Sequence, residues 1–177
     1  MTLQEIFSRL DDPNQALYIK ENGEIGARGE AGLAGIIPPV PPDSFGSPDF
    51  RKDYGLRLAY VGGAMVGGIS SRAMALALAE GGALGIFGAS GLDPNRVEEE
   101  VAALNLESAG RPFGACLIHT PQDPAWEERV TEIYLRRQVR IVEASAFMQI
   151  TPQLVRYRLS GAARRPDGSV ALPNRIL

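Results

Sequence analysis

The chain carries one cysteine and one histidine, and they lie three residues apart, at Cys116 and His119. A thiol beside an imidazole is the pairing that activates a cysteine nucleophile. Both residues fall in the apolar stretch PFGACLIHT, which is typical of a strand, and side chains three apart on a strand point to opposite faces. We therefore expect no Cys–His dyad unless the strand ends before His119. Cys116 by itself is expected to be a small buried apolar residue.

His119 is expected at the C-terminal end of that strand, which is where parallel α/β proteins bind their ligands. An imidazole at this place can transfer a proton or bind a ligand. The alternative is an imidazole that only hydrogen-bonds the loop, and the sequence leaves both interpretations open. With a single histidine and a single cysteine, the sequence predicts no metal site with nitrogen and sulfur ligands.

Glu143 lies inside another apolar stretch, VRIVEASAF. A buried carboxylate needs a partner. The interpretation that the sequence favours is a salt bridge within the sheet, for example to Arg140, and the functional alternative is a charged group in a pocket. The arginines of the preceding RRQVR segment are expected to complement a helix dipole, with contact to an acidic carrier protein as the alternative.

Composition excludes several classes of function. The 177 residues carry a net charge of −3, so no basic face for nucleic acid is indicated. No apolar run reaches the length of a membrane span, and the N-terminus lacks the layout of a signal peptide. One cysteine excludes an internal disulfide and fits a reducing compartment. We expect a cytoplasmic protein with one sizeable core.

From residue 58 onward, apolar stretches alternate with helical patterns. Strands are expected to start near residues 58, 83, 113 and 139, with one helix after each. This pattern predicts four βα units and a parallel sheet that is covered on both faces. Three of the helices begin with a capping oxygen followed by proline, at Asp93-Pro94, Asp123-Pro124 and Thr151-Pro152. The tail is expected to form a hairpin that turns at Asp167-Gly168.

Residues 1–57 have a different character and are expected to form an N-terminal extension. They hold a predicted short helix over LQEIFSRL, a strand at ALYIK and a turn at Asn22-Gly23. The glycines that follow at every third position predict a loop or strand pair, because a collagen helix needs many more repeats and proline within them. The segment IIPPVPP is then expected to be an extended connector.

Two architectures fit the βα units, an open doubly wound sheet and the (β/α)₈ barrel, and both bind ligands at the C-terminal strand ends. The residues at these ends are small, as in GGAM and GASG, and so leave room for a flat or bulky ligand against the backbone. No dinucleotide fingerprint or Walker A sequence is present.

The stretches AYVGGAMVGGISS, ALGIFGASGL, PFGACLIHTP and YLRRQVRIVEASAFMQITPQLVRYR, with the tail GSVALPNRIL, resemble the PfaD family. Its members are the trans-acting enoyl reductases of polyunsaturated fatty acid and polyketide synthases, and they are related to nitronate monooxygenases. The resemblance covers nearly the whole chain. It implies an FMN-binding TIM barrel that follows an N-terminal extension.

Because a complete (β/α)₈ barrel takes roughly 250 residues, the resemblance implies that residues 58–177 form its first half, a partial flavin-binding barrel. A half-barrel has unpaired sheet edges. We therefore expect it to pair with a C-terminal half or to form a homodimer.

The resemblance also implies the roles of individual residues. His119 matches the histidine of a family motif and is the candidate proton donor. The residues expected to bind the flavin are Gly63, Ala64, Met65, Gly88 and Cys116, and those expected to bind substrate are Glu143, Ser145 and Phe147. Cys116 and Gly67 depart from the family, which usually has asparagine at both positions, and a thiol does not replace the amide's donor and acceptor.

The function that the resemblance implies is FMN-dependent enoyl reduction, with NAD(P)H as the reductant and with substrates bound to an acyl carrier protein. One alternative is a flavin oxidase similar to nitronate monooxygenases, which would consume oxygen. The other is a truncated, non-catalytic fragment that packs on a partner.

Overall fold

The computed structural model describes residues 12–177. The helix predicted over residues 3–10 lies outside them. The chain divides into two compact units, Met1–Ser47 and Pro48–Leu177. The segment from residue 48 to residue 57, which the sequence analysis assigned to the extension, lies in the second unit.

The described part of the first unit is a three-stranded antiparallel sheet with strand order β2-β1-β3. Its strands are β1 Leu17–Lys20, β2 Ile25–Gly26 and β3 Leu33–Ile37, and a short 3₁₀ turn follows at Pro42–Ser44. Gly23 has a φ of 83°, and its N–H donates to the carbonyl of Lys20 at 2.9 Å. The predicted strand at ALYIK, the Asn22-Gly23 turn and the glycine-rich strand pair are confirmed.

The second unit combines strands and helices in regular alternation. Its strands are, in chain order, β4 Val61–Gly62, β5 Leu84–Phe87, β6 Phe113–Ile118, β7 Ile141–Ser145, β8 Ala163–Arg164, β9 Val170–Ala171 and β10 Arg175–Ile176. Its helices are α1 Pro48–Tyr54, α2 Arg72–Glu80, α3 Pro94–Glu107, α4 Pro124–Arg136 and α5 Pro152–Leu159. Strands β8 and β9 form the predicted antiparallel hairpin, and the other five form a parallel sheet in the order β10-β7-β6-β5-β4.

The connecting helices all pack on one face of this sheet. Phe87, Ala115 and Val142 point to that face and share a buried cluster with side chains of α2 to α5, such as Val101 and Tyr134. The helices of the predicted βα units therefore cover this face alone, and the helix side chains on the opposite face come from α1, which precedes the first unit. Neighbouring strands follow each other along the chain without a reversal of order, and the helices that connect them lie on the same side.

The opposite face of the sheet has a smaller buried cluster and carries both apolar and polar residues. Leu84, Ile86, Cys116 and Ile141 form its buried cluster, and Leu56 packs within it. Side chains of α1 lie against this cluster as well. Across β6 and β7 the register places Cys116 beside Glu143, so the face continues toward the carboxyl edge with polar groups.

Side-chain caps start the helices where the sequence predicts them. Asp93 accepts from the N–H of Asn95 at 2.8 Å, and Asp123 and Thr151 cap their helices in the same way. Ser71, at the end of GGISS, caps α2. These caps satisfy N–H groups that a helix leaves without an internal partner.

Among residues 12–177, no helix has both the length and the apolar character needed to cross a membrane.

Asp93→Ala is expected to lower the free energy of unfolding by about 1 kcal/mol, because the first-turn N–H groups of α3 lose their acceptor. Asp93→Asn keeps a capping oxygen and is the matched control. Urea titration of both variants measures the difference. Equal stability of the two variants would show that the cap does not stabilise the helix.

Candidate active site

His119 is the first residue after β6, and its backbone N–H donates to the carbonyl of Ser145 at 2.9 Å. Its Nδ1 lies 2.9 Å from Oε2 of Glu127, and about a quarter of its side chain is exposed. The imidazole therefore stands at the carboxyl edge of the sheet, with one nitrogen held by a carboxylate.

Glu127 lies in the first turn of α4 and is buried, with 5% of its side chain exposed. Besides the imidazole, its carboxylate accepts from the N–H of Thr120 at 3.3 Å and from the hydroxyl of Thr151 at 3.2 Å. The sequence analysis missed this residue. The available signal was its place in the buried stripe of α4, four residues before Thr131 and seven before Tyr134, where a carboxylate needs polar partners.

Phe147 lies beside the imidazole, with 5.1 Å between the ring centroids and 31° between the ring planes. The residue before it, Ala146, has a φ of 61°, and this left-handed conformation turns the chain sharply after β7. Two residues predicted for the same site, His119 and Phe147, are thus in contact. Their contact depends on the turn at Ala146.

Cys116 does not contact His119, as predicted, and its side chain lies on the face of the sheet opposite the connecting helices. Its Sγ is 3.2 Å from the hydroxyl oxygen of Ser90 and 3.5 Å from that of Ser145, and 2% of the residue is exposed. The Cys116 carbonyl accepts from the hydroxyl of Tyr134 at 2.6 Å. Burial raises the pKa of Tyr134 well above its usual value, so this hydroxyl stays a donor and anchors β6 to α4.

Glu143 points from β7 to the same face of the sheet as Cys116, and its Oε2 accepts from the N–H of Ala64 at 2.9 Å. The predicted salt bridge to Arg140 is not formed. The Arg140 guanidinium instead donates to Asn174 at 3.0 Å, and no ion pair of Glu143 occurs within residues 12–177. Residues three apart on a strand face opposite ways, which separates Glu143 from Arg140.

We expect Glu143→Ala to speed amide hydrogen exchange at Ala64 by about tenfold or more, because a hydrogen bond to a charged acceptor contributes roughly 1.5–3 kcal/mol. Glu143→Gln keeps an acceptor oxygen and is the matched control. Exchange followed by NMR at single-residue resolution measures both variants. If exchange at Ala64 is equally slow in the Ala variant and in the wild type, the contact does not hold the loop.

The loop of residues 63–70 folds against the end of β5. The Ser70 hydroxyl donates to the carbonyl of Gly63 at 3.0 Å and accepts from the N–H of Met65 at 2.8 Å. A Cβ placed on Gly88 would lie 1.8 Å from the Met65 carbonyl oxygen. The space beside Gly88 is therefore filled by this chain's own backbone, a reason for the glycine that the sequence analysis did not give.

Several of the predicted site residues lie at the carboxyl edge of the parallel sheet, because they end a strand or directly follow one. Gly63, Gly88 and His119 come directly after β4, β5 and β6, and Ser145 ends β7. Side chains of the 63–70 loop are exposed at this edge, among them Met65 and Val66. No group of three or more metal-ligating side chains occurs among the described residues.

The groups at this edge fit the ring system of a flavin better than its phosphate. Exposed apolar side chains, hydroxyls and the Glu143 carboxylate can contact a flat heteroaromatic ring. The loops 63–70, 88–93, 119–123 and 146–151 contain no lysine or arginine. The helices that follow two of them are capped by the carboxylates of Asp93 and Asp123, which disfavour an anion at those helix starts.

The relatives found by comparison with known proteins carry names from polyketide and polyunsaturated fatty acid synthesis. The chain is 41% identical over 136 residues to polyketide biosynthesis protein PksE of Bacillus subtilis. This alignment covers 76% of the chain and 18% of the relative. It is 34% identical over 182 residues to one of the polyunsaturated fatty acid synthase subunits of Thraustochytrium, which covers the whole chain and 12% of the relative. The chain thus spans less than a fifth of the length of these curated relatives. No family model matches it.

Among solved structures, the enoyl reductase domain of MlnA from the macrolactin cluster of Bacillus amyloliquefaciens superimposes with a TM-score of 0.71 and 33% identity. The alignment covers 74% of this chain and 30% of that one. The chain is thus an α/β protein with a parallel sheet, and it superimposes on part of a solved enoyl reductase domain. Its homologues are proteins of polyketide and polyunsaturated fatty acid synthesis, and the resemblance to the PfaD family is confirmed.

Proposed function

We propose that this chain is the N-terminal part of an FMN-dependent enoyl reductase that acts in trans on thioesters of an acyl carrier protein, in polyketide or polyunsaturated fatty acid synthesis. The observation that carries the proposal is the superposition on the MlnA enoyl reductase domain over 74% of the chain. The names of the relatives, which are synthase subunits and polyketide biosynthesis proteins, support the assignment to a synthase.

The proposal includes a fold, the first half of a (β/α)₈ barrel with an N-terminal extension. Five parallel strands stand in chain order with the connecting helices on one face, and this arrangement supports the winding of a barrel. A doubly wound sheet reverses its strand order at a switch point, and no reversal occurs among the described strands. The face of the sheet opposite the connecting helices, which carries Glu143 and Ser145, would then line the barrel at its carboxyl end.

Reduction of an enoyl thioester adds a hydride to the β-carbon and a proton to the α-carbon of the double bond. Bound FMN would supply the hydride, which it receives from NAD(P)H. The chain's own residues would orient the ring and supply the proton. We assign the ring contacts to Gly63, Ala64 and Met65, whose loop forms the surface at this edge. Gly88 would act through the Met65 backbone that packs on it, and Cys116, which is 2% exposed, would lie behind that surface.

The proton would come from Nε2 of His119. Nδ1 is held by Glu127, whereas Nε2 has no hydrogen-bond partner among the described residues. Transfer from the imidazolium to the α-carbon forms a C–H bond there and leaves the neutral imidazole. We assign Glu143, Ser145 and Phe147 to the substrate side of the same edge, because Ser145 and Phe147 flank the turn that contacts the imidazole.

Flavin binding tests the proposal before any turnover is measured. The purified chain is mixed with FMN, passed through a gel-filtration column and examined by absorbance. We expect a flavin band that elutes with the protein, and the elution volume also reports whether the chain self-associates. A chain that is folded by circular dichroism and yet elutes without flavin would contradict the assignment of the cofactor.

A further inference from the structure

The contacts of Glu127 suggest a role that neither the sequence motifs nor the relatives assign. The buried carboxylate of Glu127 lies within hydrogen-bond distance of the imidazole Nδ1 and accepts from a backbone N–H and from the Thr151 hydroxyl. A carboxylate accepts hydrogen bonds at both oxygens. The nitrogen that faces it therefore carries a proton, and the neutral imidazole has its lone pair on Nε2.

The same carboxylate connects the imidazole to the start of α5. Thr151 is the N-cap of α5, where its Oγ1 accepts from the N–H of Leu154 at 3.4 Å and donates to Glu127. The segment between β7 and this cap carries Phe147, whose ring lies beside the imidazole. One carboxylate thus links β6, α4 and the start of α5 around one ring.

We propose that Glu127 is a positioning residue for proton transfer by His119, an inference that rests on the proposed function. It fixes the imidazole with Nδ1 protonated and Nε2 directed away from the buried carboxylate. A hydrogen bond to the carboxylate also keeps the ring in place while the proton leaves Nε2. When Nε2 has given its proton to the substrate, the ring is left in the tautomer that Glu127 already holds.

The chain has one histidine, so imidazole NMR on the uniformly ¹⁵N-labelled 177-residue chain reads this residue alone. In the wild type we expect the neutral ring in the Nδ1–H form, with the Nδ1–H proton shifted far downfield by the carboxylate. A neutral wild-type ring protonated on Nε2 would overturn the inference without any variant.

Glu127→Gln keeps the side-chain volume and removes the charge. We expect its Nδ1–H resonance to move upfield or to disappear. The matched control is Glu128→Gln on the same helix. Glu128 is exposed, and its one ion pair within residues 12–177 is to Arg156 at 4.0 Å, so the imidazole signals of this variant should equal those of the wild type. Unchanged imidazole signals in a folded Glu127→Gln variant would overturn the inference.

Kinetics of the FMN-loaded chain separate this inference from the proposed function. Glu127→Gln is expected to lower kcat for enoyl-thioester reduction roughly 10–100-fold with little change in KM, because the substrate does not touch the carboxylate. A variant with wild-type kcat would overturn the positioning role. If the wild type itself does not reduce an enoyl thioester, the proposed function fails, and the NMR signals still decide whether Glu127 sets the tautomer.

Discussion

Replacing His119 by asparagine is expected to lower kcat for NAD(P)H-dependent reduction of an enoyl thioester by roughly 10²–10⁴-fold, the range typical of a lost general acid. The asparagine amide reaches the position of Nδ1 and can still donate to Glu127, so the local fold is kept. What the variant lacks is Nε2, the atom that we assign to proton transfer.

Stopped-flow absorbance distinguishes this effect from a loss of cofactor. Reduction of bound FMN by NAD(P)H needs no proton from His119 to a carbon of the substrate, so its rate should change little in His119→Asn. The loss should appear only when enoyl thioester is added. A variant that keeps kcat within a few-fold of the wild type would show that His119 is not the proton donor and would favour the imidazole that only holds the loop.

Gly88→Ala is expected to have the largest effect of a single methyl group on stability. The added Cβ would lie 1.8 Å from the carbonyl oxygen of Met65, and the obstacle is backbone that no rotamer change can move. The clash also strains two backbone hydrogen bonds that join the strand end to the loop. The N–H of Gly68 donates to the carbonyl of Gly88, and the N–H of Gly88 donates to the carbonyl of Ser70, both at 2.9 Å. We expect a loss of about 1–3 kcal/mol in the free energy of unfolding.

Gly63→Ala is the matched control, because a Cβ there meets only the Glu143 carboxylate at an ordinary 3.7 Å. Its free energy of unfolding should lie within about 0.5 kcal/mol of the wild type. Denaturant titration of the two variants under the same conditions gives the comparison. Equal stability would mean that the 63–70 loop does not depend on its close approach to Gly88.

The sequence predicted the repeating elements well, because their signals are local. Apolar runs and proline after a capping residue located the strands and the starts of α3, α4 and α5, and Asp167-Gly168 located the hairpin. Which face the helices occupy is not a local property. It depends on the order of the strands, and apolar strands alone suggested coverage on both faces.

The polar contacts of the site were harder to predict than its location. His119 was expected at a strand end, and the alternation along β6 correctly separated it from Cys116. Its partner Glu127 lies eight residues further along the chain, on a helix, and the helix pattern drew attention only to the apolar members of the buried stripe. The acceptor role of Glu143 toward Ala64 joins positions 79 apart, which no local pattern reports.

The most direct test of the central claim is NAD(P)H oxidation by the FMN-loaded chain, measured without oxygen, with and without an enoyl thioester on an acyl carrier protein. We predict oxidation that requires the thioester and yields the saturated acyl product in equal amount. No thioester-dependent oxidation by a chain that retains FMN would contradict the account. If NAD(P)H is oxidised only when the assay is repeated in air, and without the thioester, the result would favour the alternative of a flavin oxidase similar to nitronate monooxygenases.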